Sequence, residues 1–227
     1  MSILTLPGNP LQDLPLLLPR KTIAELLQEL GDIPAERVRL FPYPGTATEE
    51  DSLSVNEQGG HCELVDGTLV ELPMSFPADY LGFLIATILH AFIAPRRLGL
   101  VVTARAQFRM IHGNIREPDA SFTRRERIPK PLPTVGGWCP DLCIEILSPG
   151  NTAPEMSKKR TEYFASGCQL VWEIDPESRT ATVYIKTGAP MLLDPAGILT
   201  GDPVLPGFQI PLAELFQQFD ELTLQTE

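Results

Sequence analysis

Pro140-Asp141-Leu142-Cys143-Ile144-Glu145-Ile146-Leu147 is the segment of this 227-residue chain that decides its fold. Its β-branched and leucine residues predict a buried strand. Side chains alternate along a strand, so Ile144 and Ile146 face one way and Glu145 faces the other. A carboxylate in the middle of a buried strand is unfavourable unless a cation compensates it. Glu145 is therefore predicted either to form a buried salt bridge, with Lys159 or an arginine, or to bind a metal ion.

A helix that carries a lysine follows this strand. Thr152-Ala153-Pro154-Glu155 fits a capping box with proline in the first turn, and Gly167 fits a left-handed helix stop. Met156, Lys159 and Tyr163 recur at helical spacing on one face, which is expected to pack on the sheet. We therefore expect the ammonium of Lys159 to reach the strand.

Lys158 lies off that helix face. Glu155 and Glu162 flank it at helical spacing, which is typical of an exposed ion-pair residue. Lys158 is therefore predicted to point to solvent, whereas Lys159 is predicted to lie within hydrogen-bonding or ion-pair reach of Glu145.

The other elements predict a mixed α/β core. In chain order they are a helix at Thr22–Leu30, a hairpin at Cys62–Leu72 that turns at Asp66-Gly67, a buried helix at residues 78–94 ended by Pro95, a hairpin at Leu98–Phe122, a hairpin at Gln169–Lys186 and a helix at Leu212–Phe219. Residues 42–51 predict a linker. We therefore divide the chain into an N-terminal arm with a short helix, residues 1–50, and a main domain, residues 51–227.

Composition excludes several classes of protein. Apolar residues make up 43% of the chain, which is typical of a folded domain, and 23 prolines predict many turning connections. No apolar run reaches the roughly 18–20 residues that a membrane helix needs. The N-terminus lacks the basic and apolar regions of a signal peptide. We expect a cytoplasmic protein without membrane contact.

The charge of the chain is unevenly placed. The net charge is −11, which disfavours nonspecific binding to nucleic acid. Residues 96–130 nevertheless hold nine Lys/Arg and three acids, a charge of +6, so the remainder holds −17. This basic segment includes Arg124, Arg125 and Arg127 and surrounds Glu117-Pro118-Asp119. It is either a solvated loop face or a surface that meets phosphate groups beside a metal site.

Cysteines stand at positions 62, 139, 143 and 168. Without a secretory signal they are not expected to form disulfides. Cys139 and Cys143 resemble a zinc half-site only loosely, since no CxxC or HxxxH motif supplies a second half. The thiols are therefore predicted to be apolar core residues, and a zinc-binding structural protein is the minor alternative.

Short motifs in a fixed order resemble the Uma-two-type family of bacterial restriction endonucleases, within the PD-(D/E)XK nuclease superfamily. They cover roughly residues 45–215 and include Pro44–Asp51, Glu63–Gly67, Pro118-Asp119, Glu145–Pro149, Lys159-x3-Tyr163-x3-Gly167, Val171–Pro176 and Leu205–Phe208. Each motif is weak alone, but the ordered set is more specific. The resemblance implies a restriction-endonuclease-like core, in which helices flank a central mixed sheet and extra β-hairpins are attached.

The resemblance also implies a site. Asp119 and Glu145 would hold Mg²⁺ or Mn²⁺, with the backbone carbonyl of Ile146 as a third ligand. The superfamily lysine two residues after the glutamate is replaced here by Leu147. Lys159 matches the helix position to which many similar members have moved that lysine.

One more acidic ligand is left open between two residues. Superfamily members often take it from an early helix, where this chain offers Asp79, and Glu63 in the preceding hairpin is the alternative. Asp141 follows a proline at a strand entrance, a position where aspartate commonly caps backbone N–H groups.

These features together predict a metal-dependent nuclease that hydrolyses phosphodiester bonds, with DNA as the expected substrate and a homodimer as the assembly considered. The catalytic residues would be Asp119, Glu145 and Lys159. The alternative is a catalytically inactive nuclease-like module that binds nucleic acid or a protein partner. The acidic total charge and the missing lysine at position 147 favour that alternative.

Overall fold

A computed structural model describes residues 21–73 and 75–223, so the first twenty residues of the predicted arm lie outside the described residues. The helices of the described part are α1 (Ile23–Glu29), α2 (Glu49–Glu57), α3 (Phe76–Arg96), α4 (Ala153–Ala165) and α5 (Leu212–Thr223). The strands are β1 (Cys62–Val65), β2 (Thr68–Glu71), β3 (Gly99–Thr103), β4 (Phe108–Arg109), β5 (Ile115–Arg116), β6 (Ala120–Arg124), β7 (Leu142–Ile146), β8 (Leu170–Asp175), β9 (Thr180–Ile185), β10 (Met191–Leu193), β11 (Ile198–Thr200) and β12 (Gln209–Pro211).

Six strands form a mixed central sheet in the order β10-β9-β8-β7-β6-β3. β7 and β8 are parallel and α4 connects them, whereas the other neighbouring pairs are antiparallel. A second sheet has the order β2-β1-β5-β4, and β11 pairs with β12. The predicted mixed α/β class, with a central sheet flanked by helices, is confirmed.

Alternation along β7 separates two sides of the central sheet. Ile144 and Ile146 join an apolar core that α3 and α5 cover, whereas Cys143 and Glu145 face α4. All five residues of β7 are buried. A one-residue slip of register would place Glu145 in the apolar core and move the isoleucines from that core to the face where α4 presents Lys159. The register of this strand is therefore strongly specified.

Local capping and turn chemistry follows the sequence predictions. Thr152 forms the predicted capping box of α4, and Thr22 forms another at the start of the predicted helix α1. Asp66 and Gly67 have φ values of 48° and 71°, as a tight hairpin turn between β1 and β2 requires. Both features depend on residues within a few positions of one another, which explains why they were visible in the sequence.

Two element boundaries were predicted wrongly. The expected linker at 42–51 contains the start of α2, because Thr48 and Asp51 form a further capping box. The helix α3 does not end before Pro95 but continues to Arg96 and stops at the left-handed Arg97. Burial of its apolar face against β6, β7 and α5 outweighs the one hydrogen bond that a proline removes. By length and hydropathy alone, the 21-residue α3 is also able to cross a membrane. The sequence prediction that no apolar segment reaches this length was therefore wrong.

Residues 21–50 pack against the remainder of the protein through a buried arginine. Arg37 Nη2 lies 2.6 Å from Glu155 Oε1 in the first turn of α4, and Arg37 Nη1 donates to the carbonyl of Gly150 at 2.8 Å. This pair ties the segment after α1 to the start of the helix that carries Lys159. The division of the chain at residue 50 stays a prediction.

Candidate active site

Asp119 lies where the chain passes from one sheet to the other. The predicted single strand is divided into β5 and β6, and residues 117–119 bridge them. β6 runs antiparallel to β7 with Ala120 opposite Ile144, which brings Asp119 to the carboxyl end of β7. There Asp119 Oδ2 accepts a hydrogen bond from the backbone N–H of Ile146 at 2.6 Å.

The helix α4 brings Lys159 to Glu145 from above the sheet. Lys159 Nζ donates to Glu145 Oε2 at 2.8 Å and lies 3.2 Å from Glu63 Oε1, and its side chain is only 2% exposed. Tyr163, one turn further along α4, donates its hydroxyl to Glu145 Oε1 at 2.5 Å. The predicted contact between Lys159 and Glu145 is therefore present. Both oxygens of Glu145 are held by side chains of one helix.

Lys158 points away from this cluster, as predicted, and its side chain is 41% exposed. Its Nζ contacts the end of α1 and the β1–β2 turn rather than Glu155 or Glu162. Those two glutamates, predicted to be its surface partners, are buried and pair with Arg37 and Arg116. The prediction of these partners was wrong because helical spacing does not reveal which acids meet arginines from distant segments.

The structure gives the two candidates for the extra acidic ligand different places. Glu63 is buried behind the cluster, where it accepts hydrogen bonds from Arg116 at 2.9 Å and from the backbone N–H of Glu117 at 3.1 Å. Asp79 is exposed and lines a cleft together with Asp119. Asp79 is therefore better placed than Glu63 to offer a carboxylate oxygen to an ion in this cleft, whose lining includes Asp79 but not Glu63.

The cleft is small and its lining is polar. Its volume is about 20 Å³, and Asp79, Asp119, Glu145, Ile146 and Lys159 all border it. A space of this size holds about one water molecule or ion. The three predicted catalytic side chains and the predicted backbone ligand thus border one cleft.

Acidic side chains outnumber basic ones in this cluster. The acids are Glu63, Asp119, Glu145 and Glu162, and the cations are Arg116 and Lys159. Burial raises the pKa of Glu145 to about 7 against the opposing charge of Lys159, and burial raises the pKa of Asp119 to about 6. At Glu63 burial acts in the same direction, but Lys159 and Arg116 outweigh it and lower the pKa to about 2. Two carboxylates therefore lack a full counter-charge, which a divalent cation would supply.

A family model described as "Uma2: Putative restriction endonuclease" matches residues 49–213. The chain belongs to the Uma2 family. This Uma2 chain is also similar to a crystal structure from Anabaena variabilis ATCC 29413, described as "a putative nuclease belonging to DUF820". The TM-score is 0.69 at 21% identity, covering 76% of this chain and 98% of that chain, so the likeness establishes the fold. None of the curated proteins matches the sequence. The predicted family is confirmed.

A contact between a histidine and a carboxylate at the cleft of the Uma2 chain was not predicted. His61 Nε2 lies 2.8 Å from Glu117 Oε2, and the other oxygen of Glu117 accepts a hydrogen bond from Gln107 at 2.8 Å. The hydrogen bond with Glu117 raises the pKa of His61 against the opposing effect of burial. Glu117 could have been suspected from its place directly before Pro118-Asp119, whereas nothing in the sequence connects His61 to it.

Much of the basic segment is neutralised within the protein. Arg127 lies 2.9 Å and Arg124 3.4 Å from Asp141, and Arg109 lies 2.5 Å from Glu49. Asp141 Oδ2 also accepts the backbone N–H of Arg124 at 2.9 Å, so its predicted capping role is confirmed. Arg124 and Arg127 are therefore poorer candidates for phosphate contacts than the sequence implied.

Arg105 is an exposed arginine of the basic segment close to the cleft. It follows Ala104, whose backbone N–H donates to the carbonyl of Asp119 at 2.9 Å. Its positive charge also opposes the rise in the pKa of His61. Its φ of 77° is left-handed, a conformation that a residue other than glycine keeps only where its surroundings hold it. Arg105 is therefore the better candidate for a phosphate contact.

Proposed function

We propose that this Uma2 protein is a metal-dependent endonuclease that hydrolyses phosphodiester bonds in DNA with Mg²⁺ or Mn²⁺. The observation that carries the proposal is the 2.8 Å contact between Lys159 Nζ and Glu145 Oε2 in a cleft shared with Asp119. The family description and the nuclease-like fold support the same reaction class. A cytoplasmic location and a homodimer stay predictions.

The donor set fits a hard divalent cation. Asp119, Glu145 and the carbonyl of Ile146 would hold it, and Asp79 would add an oxygen from α3. Carboxylate and carbonyl oxygens are the ligands that Mg²⁺ and Mn²⁺ prefer, and the surplus negative charge of the cluster favours a cation of charge +2. When bound, the ion would lower the pKa of a coordinated water and offset charge on the phosphate.

Lys159 would act on the attacking water and on the phosphate. Burial favours the neutral amine, but Glu145 and Glu63 outweigh burial and raise the pKa of Lys159, so its ammonium stays charged. A charged ammonium can orient the nucleophile and stabilise the negative charge of the pentacovalent transition state. Glu63 holds Nζ from behind and Tyr163 fixes the carboxylate of Glu145, so the group is positioned before substrate arrives.

The substrate would be held next to the cleft by Arg105 rather than by Arg124 and Arg127, which Asp141 occupies. Because the net charge is −11, binding would depend on a few well-placed cations and not on a general basic surface.

The proposal is tested with a panel of supercoiled, linear duplex and single-stranded DNA and RNA. Cleavage is expected with Mg²⁺ or Mn²⁺ and not with a chelator. Cleavage should be lost in Asp119→Asn and in Lys159→Met but kept in the matched control Lys158→Met. Mn²⁺ binding without cleavage of any substrate would overturn the nuclease proposal in favour of a nucleic-acid- or partner-binding relative. Cleavage that persists in Asp119→Asn would remove this cleft from the mechanism.

A further inference from the structure

Three buried cysteines lie together, separate from the carboxylate cleft. The Sγ atoms of Cys139, Cys143 and Cys168 are all within 4.8 Å of one another, and the Sγ atoms of Cys143 and Cys168 are 3.8 Å apart. All three thiols are free. Cys139 precedes β7, Cys143 lies within it, and Cys168 stands in the turn between α4 and β8. Only the parallel crossover from β7 through α4 to β8 brings the third thiol to the other two.

The sulfur positions are close to those around a single soft metal ion. In tetrahedral geometry with Zn–S bonds of about 2.3 Å, ligand sulfurs lie about 3.8 Å apart. Cys143 and Cys168 already have this separation, and the remaining pairs would close by at most about 1 Å. Cys139 and Cys168 lie in connecting segments, where such a shift leaves the strand ladder intact.

We propose that Cys139, Cys143 and Cys168 form a structural site for one thiophilic ion of the Zn²⁺ and Cd²⁺ class. Thiolates select soft ions, whereas the carboxylate cleft selects hard ones, so the two sites would not compete. A fourth ligand could come from the backbone carbonyl of Leu170, which lies 3.1 Å from Cys168 Sγ, whereas that of Asp141 already accepts the N–H groups of Gln169 and Leu170.

The net charge of such a site would be small enough for a buried position. Three thiols lose three protons when they bind a divalent ion, which leaves a net charge of −1. Arg127 Nη2 donates to the backbone carbonyl of Cys139 at 2.9 Å, so a guanidinium lies beside the cluster. Arg127 also contacts Asp141, and therefore it offsets the remaining charge only in part.

The ion would stabilise the packing of α4 on β7 next to the cleft. Cys139 Sγ lies 3.6 Å from the backbone carbonyl of Tyr163, whose hydroxyl holds Glu145, and Cys168 follows the end of α4. Metal binding would replace the hydrogen bond from the Cys139 thiol by a metal–thiolate bond. A metal bound to these thiolates would join the end of α4 to β7 and to the segment before it. Since the ion binds the folded chain in preference to the unfolded chain, it would raise the temperature of unfolding.

The test is a Cd²⁺ titration of the reduced wild-type protein in excess Mg²⁺, followed by the ultraviolet thiolate-to-metal charge-transfer band. We expect the band to saturate at one Cd²⁺ per chain, with proton release and a higher midpoint of thermal unfolding. Titration without this band would overturn the proposal and leave the thiols as core residues. This measurement needs no variant to fold.

Variants then locate the site. The band should disappear in Cys143→Ala and Cys168→Ala and persist in Cys62→Ala, the matched control with a buried thiol outside the cluster. It should also persist in Asp119→Asn, so its presence does not depend on the nuclease proposal. Loss of the band in Cys62→Ala alone would contradict the assignment.

Discussion

Replacing Lys159 by methionine keeps much of the side-chain volume but removes a cation from between two buried carboxylates. Nζ lies 2.8 Å from Glu145 and 3.2 Å from Glu63, and the side chain is 2% exposed. Removing one partner of a buried ion pair costs about 3–5 kcal/mol, because the other charge is left without compensation. We expect the free energy of unfolding to fall by that amount at about pH 8, and the midpoint of thermal unfolding by about 6–20 °C for a chain of this size.

The loss should depend on pH. The pKa of Glu145 is raised to about 7 in the wild type, and removal of Lys159 would raise it further. Below that pKa the carboxyl of Glu145 binds a proton, so the uncompensated charge largely disappears. Glu63 keeps Arg116 as its partner at 2.9 Å. The destabilisation caused by Lys159→Met should therefore be smaller at about pH 5.5 than at about pH 8.

Urea unfolding followed by circular dichroism at both pH values, without divalent metal, measures this difference. Lys158→Met is the matched control, since it loses only an exposed contact with Asp66 at 3.7 Å and a surface hydrogen bond to the carbonyl of Glu29, which predicts a change below about 2 kcal/mol. Two results would refute the reasoning. One is equal destabilisation by the two variants, and the other is a loss at Lys159 that is the same at both pH values.

Three further predictions address the cleft and its surroundings. The metal-free wild type should lose stability as pH rises from about 4 through about 7, because folding raises the pKa of Asp119 to about 6 and that of Glu145 to about 7, and Glu145→Gln should reduce this slope without removing it in chelator-treated unfolding curves. An unaltered slope in that variant would contradict the assignment. Asp119→Asn should abolish Mn²⁺ binding in calorimetry with the circular dichroism spectrum retained, whereas wild-type affinity in this variant would exclude Asp119 as a ligand. Arg105→Ala should weaken DNA binding and reduce the slope of log affinity against log salt by about 1, whereas Arg125→Ala, exposed at the opposite end of the β3–β6 ladder, should change it less. Equal effects of the two arginines would argue against a phosphate contact near the cleft.

Several structural features could be predicted from residues that lie close together in the sequence. The capping boxes at Thr22 and Thr152 and the turn at Asp66-Gly67 depend on neighbouring residues, so the sequence alone determines them. The reach of Lys159 to Glu145 was predictable for a related reason. A helix that follows a buried strand must cover one face of the sheet, and the apolar spacing in α4 shows which residues point inward.

The partners of buried charges and thiols were decided only by the tertiary structure. Helical periodicity predicts that Glu155 and Glu162 lie on a helix. It does not predict that they pair with Arg37 and Arg116, which are more than forty residues away in the sequence. The same limit hid the part that Glu63 plays behind Lys159. Burial forces each charge to find a counter-charge wherever the fold brings one, and such pairings leave no repeating signal in the sequence.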